Sequence, residues 1–162
     1  PTLLKELNIK IPVKPVKGYS LTYSTAGITN TPKIPIIDES IHIAITPYKN
    51  RIRIAGTAEF VGFNDAVHPK RFNYLNSKLN AVYPSLYSKV KDDEDVEIWF
   101  GFRPMSADGL PFIGESKIKG LYLNTGHGHL GWTLAMGSAD ILADQMVGSE
   151  TKIDSKPYQT NR

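Results

Sequence analysis

Gly126, Gly128 and Gly131 stand where an extended segment, Leu121 to Asn124, gives way to a helical one running from about Leu130 to Val147. Strand, glycine turn and helix in that order form one half of a dinucleotide-binding unit, whose fingerprint is G-x-G-x-x-G. The other half, a second parallel strand with an acidic residue, does not follow. After Val147 come Gly148, a helix stop, and a polar tail, Ser149 to Arg162, expected to fray. A pyrophosphate site at this turn is therefore excluded. What survives is local: glycines let backbone approach a flat ligand, and a helix start offers unpaired N–H groups and a partial positive charge. A tight turn whose glycines serve packing alone is the other reading of the same spacing.

The first half of the chain has a different period. Ile41, Ile43 and Ile45 alternate with His42, Ala44 and Thr46, and Ile52 and Ile54 alternate with Arg51, Arg53 and Ala55. Alternation of β-branched residues predicts half-buried strands. Pro47-Tyr48-Lys49-Asn50 supplies the turn of a hairpin over Ile41 to Thr57. Val13 to Tyr23 is extended, with Pro15 and Gly18 restricting it to an edge or a bulge. Ile34 to Ile37 is a short apolar run. Phe72, Leu75, Leu79 and Val82 recur at helical spacing after Pro69, and Pro84 ends that helix. Lys91 to Asp95 reads as a solvated loop. Val96 to Arg103 alternates again, with Trp99, Gly101 and Arg103 sharing one face.

Composition narrows the function. With 41% apolar and 22% charged residues in 162, the chain is an ordinary folded domain or a piece of a two-domain protein. The net charge of +3 comes from scattered residues such as Lys14, Lys17, Lys33, Lys49, Arg51 and Arg53, without the dense patch of a nucleic-acid binder. No apolar run approaches the ~18 residues of a membrane span, and the start does not resemble a signal peptide. The absence of cysteine excludes disulfides, thiolate metal sites and a cysteine nucleophile. Pro1 in place of Met raises the expectation that the chain was cut from a longer one.

Four segments occur in order: Val16-Lys17-Gly18-Tyr19-Ser20, Ala55-Gly56-Thr57-Ala58-Glu59, Gly101-Phe102-Arg103-Pro104-Met105 followed by Asp108-Gly109-Leu110-Pro111, and Asn124-Thr125-Gly126-His127-Gly128 through Gly131-Trp132-Thr133. Together, over residues 3 to 148, they resemble the C-terminal part of the bacterial D-amino-acid dehydrogenases, FAD-dependent enzymes of the D-amino-acid oxidase superfamily. The resemblance implies an α+β fold. Residues 1–104 would be part of an antiparallel or mixed-sheet substrate domain with a covering helix. Residues 105–148 would return as the last strand and helix of a Rossmann-like FAD domain, and 149–162 would be the polar tail. The segment with the true dinucleotide fingerprint would lie outside this chain.

By the same resemblance the flavin contacts are Gly126, His127, Gly128, Leu130, Gly131, Trp132 and Thr133, with backbone N–H groups facing the pyrimidine end of the ring. His129 is bulky where relatives often have a small residue, and no metal is implied. Arg103 would hold the substrate carboxylate in a bidentate fork; the other reading of Arg103 is an ordinary ion pair. Gly101 would let flavin or substrate lie close to the strand. Ala44 stands where oxidases of the superfamily often carry a carboxylate-binding tyrosine, and Tyr48 is nearby. Lys17 and Tyr19 would support the site from behind, and Glu59 would be structural.

The implied reaction is oxidative deamination of a D-amino acid to a 2-oxo acid and ammonia, with electrons passing to a quinone or another acceptor. The implied location is cytoplasmic, peripheral on the inner face of a bacterial inner membrane. The isolated chain would be catalytically silent, and its last strand, lacking parallel neighbours, would expose an edge prone to self-association. Competing readings are an oxygen-using amine oxidase of the glycine or sarcosine type and a β-rich binding module without redox chemistry.

Overall fold

The computed structural model describes residues 2–162. In chain order the elements are α1 (Thr2–Lys5), β1 (Val13–Ser24), β2 (Ile36–Asp38), β3 (Ile43–Tyr48), β4 (Arg51–Glu59), α2 (Pro69–Val82), α3 (Pro84–Val90), β5 (Glu97–Ser106), β6 (Phe112–Glu115), β7 (Tyr122–Thr125) and α4 (Gly131–Val147). The fold is α+β. Two compact units form, one spanning Lys17–Phe102 and the other joining the residues up to Val16 with Arg103–Arg162. β1 begins in the C-terminal unit and runs on into the Lys17–Phe102 unit.

The Lys17–Phe102 unit is built on a sheet in the order β2-β3-β4-β1-β5. The isoleucine alternation does what its period demands. Ile43, Ile45, Ile52 and Ile54 enter the core with Tyr19, Leu21 and Tyr23 of β1, while the intervening residues face away. Phe72, Leu75 and Leu79 of α2 and Leu86 and Val90 of α3 cover that face. Each such side chain contributes roughly 1.5–3 kcal/mol by leaving water. Tyr19 and Phe72 meet edge to face at 5.3 Å. Pro84 ends α2 as expected and is also the first-turn proline of α3, a helix the spacing did not reveal. Pro104 is tolerated in β5 because β5 is an edge strand. β1 is interior, so of the two options for its glycine the bulge is realised, between Lys17 and Tyr19.

Two buried charges brace this unit. Lys17 is fully buried, and its Nζ donates to the carbonyls of Asn64 (2.8 Å) and Ala66 (2.5 Å) while lying 4.2 Å from the Phe100 ring centre. Glu59, its partner across the β1–β4 ladder, accepts from the Tyr19 hydroxyl at 2.6 Å and from Arg71 Nε at 2.5 Å. Burial pulls the Glu59 pKa upward, but those two bonds outweigh it and the carboxyl ionises below its usual range. Burial and the Glu59 carboxylate push the Tyr19 phenol up to about 12. The signs bound a pH window. Glu59 stabilises the fold above the ordinary carboxylate range, and that contribution is lost as pH falls through its lowered pKa. Tyr19 stabilises it below pH 10, and that contribution is lost as pH rises to about 12. Thermal melts should therefore sag at both ends. Glu59→Gln should lower stability by about 1–3 kcal/mol near neutral pH and flatten the acid limb; an unchanged acid limb would refute the assignment.

In the other unit, β6 and β7 form an antiparallel hairpin, with Phe112 opposite Thr125 and Glu115 opposite Tyr122. β7 thus has an antiparallel partner, β6, which directly precedes it in the chain, while the parallel neighbours that the sequence reading finds missing do not pair with it among the described residues. The Pro111-bounded, four-residue segment Phe112–Glu115 is too short to show as a strand in the sequence. Gly148 closes α4 in the left-handed conformation, φ 72°.

The tail is polar but packed rather than frayed. Thr160 Oγ1 donates to the Glu115 carbonyl at 2.6 Å. Arg162 lies 3.8 Å from the centre of the Phe112 ring and donates to Asp108 and to the carbonyls of Leu110 and Pro111. Its bond to Asp108 is the main reason that carboxyl titrates at about 2. Arg162→Ala should return Asp108 towards 3.8, its ordinary value, in an NMR titration. An Asp108 that still titrates near 2 would show that the backbone turn alone sets it.

Candidate functional site

The glycine turn belongs to the C-terminal unit and is held by its local chemistry. Gly126 has φ 84°, and a Cβ there would stand 3.3 Å from both Phe112 and Val13. Gly128 has φ 56°, and a Cβ there would stand 2.7 Å from Met105 Sδ. Only glycine combines these conformations with such close neighbours. Gly128–Leu130 makes a single 3-10 turn, closed by the Leu130 N–H on the His127 carbonyl at 3.0 Å, and α4 follows directly. No side chain caps α4. Its first turn begins at Gly131, Trp132 and Thr133.

Arg103 lies on β5 two residues before Met105, and Met105 makes a β-bridge with His127. The strand carrying the predicted carboxylate ligand is thereby tied to the predicted flavin turn within one unit. Arg103 is partly buried, and that burial lowers its pKa. Burial likewise lowers the pKa of His127. Its Nε2 is buried with no hydrogen-bond partner among the described residues, and so is Ser106 Oγ, at the end of β5 beside Gly126. Trp132 is 96% exposed, and Leu130 is exposed.

These features fit the planar end of a flavin. A backbone cradle without Cβ atoms, an uncapped helix start and orphaned polar atoms are what a ring with carbonyl acceptors and N–H donors requires. Ser106 and Met105 escaped the sequence reading although Met105 closes one of its motifs; their part depends on a bridge between distant segments. His129 is exposed in the 3-10 turn.

In the Lys17–Phe102 unit, the space beside Gly101 is filled from within the strand. A Cβ on Gly101 would collide with the Trp99 indole, which lies across it. The glycine therefore serves the tryptophan first, where the sequence reading gave that space to flavin or substrate. Tyr48 is half-exposed and packs near the Arg53 guanidinium, 5.6 Å from the ring centre, as turn packing.

Residues 1–145 match the family model described as FAD dependent oxidoreductase. The chain is 43% identical over 160 residues to a D-amino acid dehydrogenase of Vibrio atlanticus, covering 99% of this chain and 37% of that protein. It is 41% identical over 162 residues to one from Rhizobium johnstonii, covering 100% and 38% respectively. The chain thus spans little more than a third of these relatives. Among solved structures, glycine oxidase from Geobacillus kaustophilus superposes with a TM-score of 0.84 at 25% identity, over 99% of this chain and 42% of that one. Iminodiacetate oxidase from Chelativorans sp. BNC1 shares the fold, with a TM-score of 0.83 at 21% identity over 98% and 42%.

Proposed function

The chain belongs to the FAD dependent oxidoreductase family, and we propose that the flavoprotein containing it oxidises D-amino acids to 2-oxo acids and ammonia. The identity to D-amino acid dehydrogenases along the whole chain carries this reading. Bound FAD supplies the acceptor for a hydride from the substrate Cα; water then hydrolyses the imino acid, releasing the 2-oxo acid and ammonia. The chain's own residues supply orientation. Arg103 holds the carboxylate, which fixes the substrate before reaction and removes the need for an extensive acid–base apparatus if the amine is bound neutral. Gly126, Gly128 and the first turn of α4 would hold the ring, and preorganised backbone donors there would stabilise the negative charge it gains.

Electrons pass on to a quinone or another acceptor, which suits a protein lying against the inner face of a bacterial inner membrane. By itself, the 162-residue chain binds FAD weakly, because the turn serves only the ring and not the pyrophosphate. Trp132, Met136, Met146 and Val147 are exposed on α4, and this apolar surface supports self-association of the chain alone.

The test is turnover by the full-length flavoprotein with D- and L-alanine, an artificial electron acceptor and separate assays for pyruvate and peroxide. Pyruvate from the D-enantiomer with little peroxide is expected. Stoichiometric peroxide would favour the oxidase alternative, and no oxidation of D-amino acids would overturn the proposal.

A further inference from the structure

Arg162 grips the turn ahead of β6 with every donor it has. Its Nε and one terminal nitrogen donate to the two carboxylate oxygens of Asp108, at 3.0 and 3.2 Å. That terminal nitrogen also donates to the Leu110 carbonyl at 2.7 Å. The other one donates to the carbonyls of Pro111, at 3.0 Å, and Gln159, at 3.1 Å. A guanidinium carries five N–H donors in a rigid fork, so this fork is saturated. An exposed ion pair contributes little, but here the Arg162 side chain is only 17% exposed and binds its carboxylate through two bonds, which fixes its geometry.

The fixed guanidinium covers Phe112. It lies 3.8 Å from the ring centre, and Phe112 is buried. The same ring is a wall of the glycine turn. Its Cδ2 stands 3.3 Å from the point where a Cβ on Gly126 would lie, and Val13 and Ser106 close in on that point at 3.3 and 3.5 Å. Strand register sets this contact, because Phe112 pairs with Thr125, the residue before Gly126. Arg162 thus lies against Phe112, and Phe112 against Gly126, all within the C-terminal unit. The ring cannot advance without meeting the turn backbone, and the guanidinium blocks its retreat on the side that it covers.

We propose that Arg162 is a positioning residue for the flavin turn: it holds the Phe112 ring against Gly126 and so fixes the backbone that receives the cofactor. This rests on the reading of Gly126 to Thr133 as the flavin contacts. Without the guanidinium the ring is free to shift outwards, Gly126 loses a wall, and the turn no longer keeps one conformation. A residue far along the tail then sets how tightly the ring is held and how its environment is tuned, although it touches neither flavin nor substrate.

The test uses the full-length flavoprotein, with FAD affinity and the visible flavin spectrum as readouts and melting temperature as the check on folding. Arg162→Ala should weaken FAD binding about tenfold and shift the flavin spectrum, which a loss of stability alone would not do. Arg162→Lys keeps the cation but not the fork, and should recover part of the affinity. Because the effect runs through the ring, Arg162→Ala placed on top of Phe112→Leu should weaken FAD by less than about twofold further. Asp108→Asn, which loosens the clasp and leaves Arg162 in place, stands in if Arg162→Ala does not fold, with the same spectral shift expected. Unchanged affinity and spectrum in a folded variant, or an undiminished tenfold effect in the Phe112→Leu background, would overturn the proposal. Gly126→Val separates it from the reading beneath: if that variant also binds FAD normally, the turn does not hold the flavin, whereas if only the Arg162 variants are silent, Arg162 has no part in it.

Discussion

Replacing Arg103 by alanine in the full-length flavoenzyme should raise the KM for a D-amino acid by about two orders of magnitude while FAD stays bound. A charge-assisted bond to a buried carboxylate is worth roughly 2–4 kcal/mol when one partner is removed, and each 1.4 kcal/mol is tenfold. Arg103→Lys should recover only part of the loss, because an ammonium cannot reproduce the guanidinium fork. The flavin should be retained, since the turn at Gly126 is built from backbone and does not include the Arg103 side chain. Steady-state kinetics alongside the flavin-to-protein absorbance ratio separate the two. An unchanged kcat/KM would end the assignment of Arg103 to the carboxylate.

Gly126→Val should act on the opposite partner, costing flavin rather than substrate affinity. Gly126 has φ 84°, and its missing Cβ already faces Phe112 and Val13 at 3.3 Å. A β-branched residue in that conformation carries roughly 1–3 kcal/mol of backbone strain, and its methyls need space that the hairpin core occupies. The turn must open, withdrawing the first N–H groups of α4 from the ring. We expect FAD affinity to fall at least about tenfold, the equivalent of 1.4 kcal/mol, as read by the flavin content of purified protein. Normal flavin content and an unshifted flavin spectrum would show that the turn does not touch the cofactor.

How much of this was legible depended on how local each cause was. The hairpin of β3 and β4 announced itself through isoleucines at every second position, because one buried face imposes that period. Helix α2 showed the helical period and its first-turn proline for the same reason. Helix α3 was missed because Pro84 was read only as a stop, and seven residues are too few for a period to emerge. The partner of β7 was missed because pairing is a long-range property, and Phe112–Glu115 carries no alternation of its own. The tail's packing rests on Arg162 reaching Asp108, a contact between residues 54 apart in the sequence.

The site divides in the same way. Glycine spacing marked the turn, and the helix after it followed from pattern alone. The excluded pyrophosphate reading also came from sequence order. The tie between Met105 and His127, the orphaned Ser106 hydroxyl and the lie of Trp99 over Gly101 all depend on how strands are brought together. No single segment encodes them. Lys17 and Glu59 are intermediate cases: their motifs stood out, but only the fold shows a buried cation gripping the Asn64 and Ala66 carbonyls and a buried carboxylate between Tyr19 and Arg71.

The proposed function makes this chain part of a D-amino-acid oxidising flavoenzyme. Anaerobic mixing of the full-length holoenzyme with D-alanine, followed through the yellow absorbance of the oxidised flavin, tests it most directly. Bleaching in a single turnover, with one pyruvate formed per flavin and no response to L-alanine, is the predicted result. A flavin that stays yellow with every D-amino acid, or that bleaches equally with both enantiomers, would contradict it.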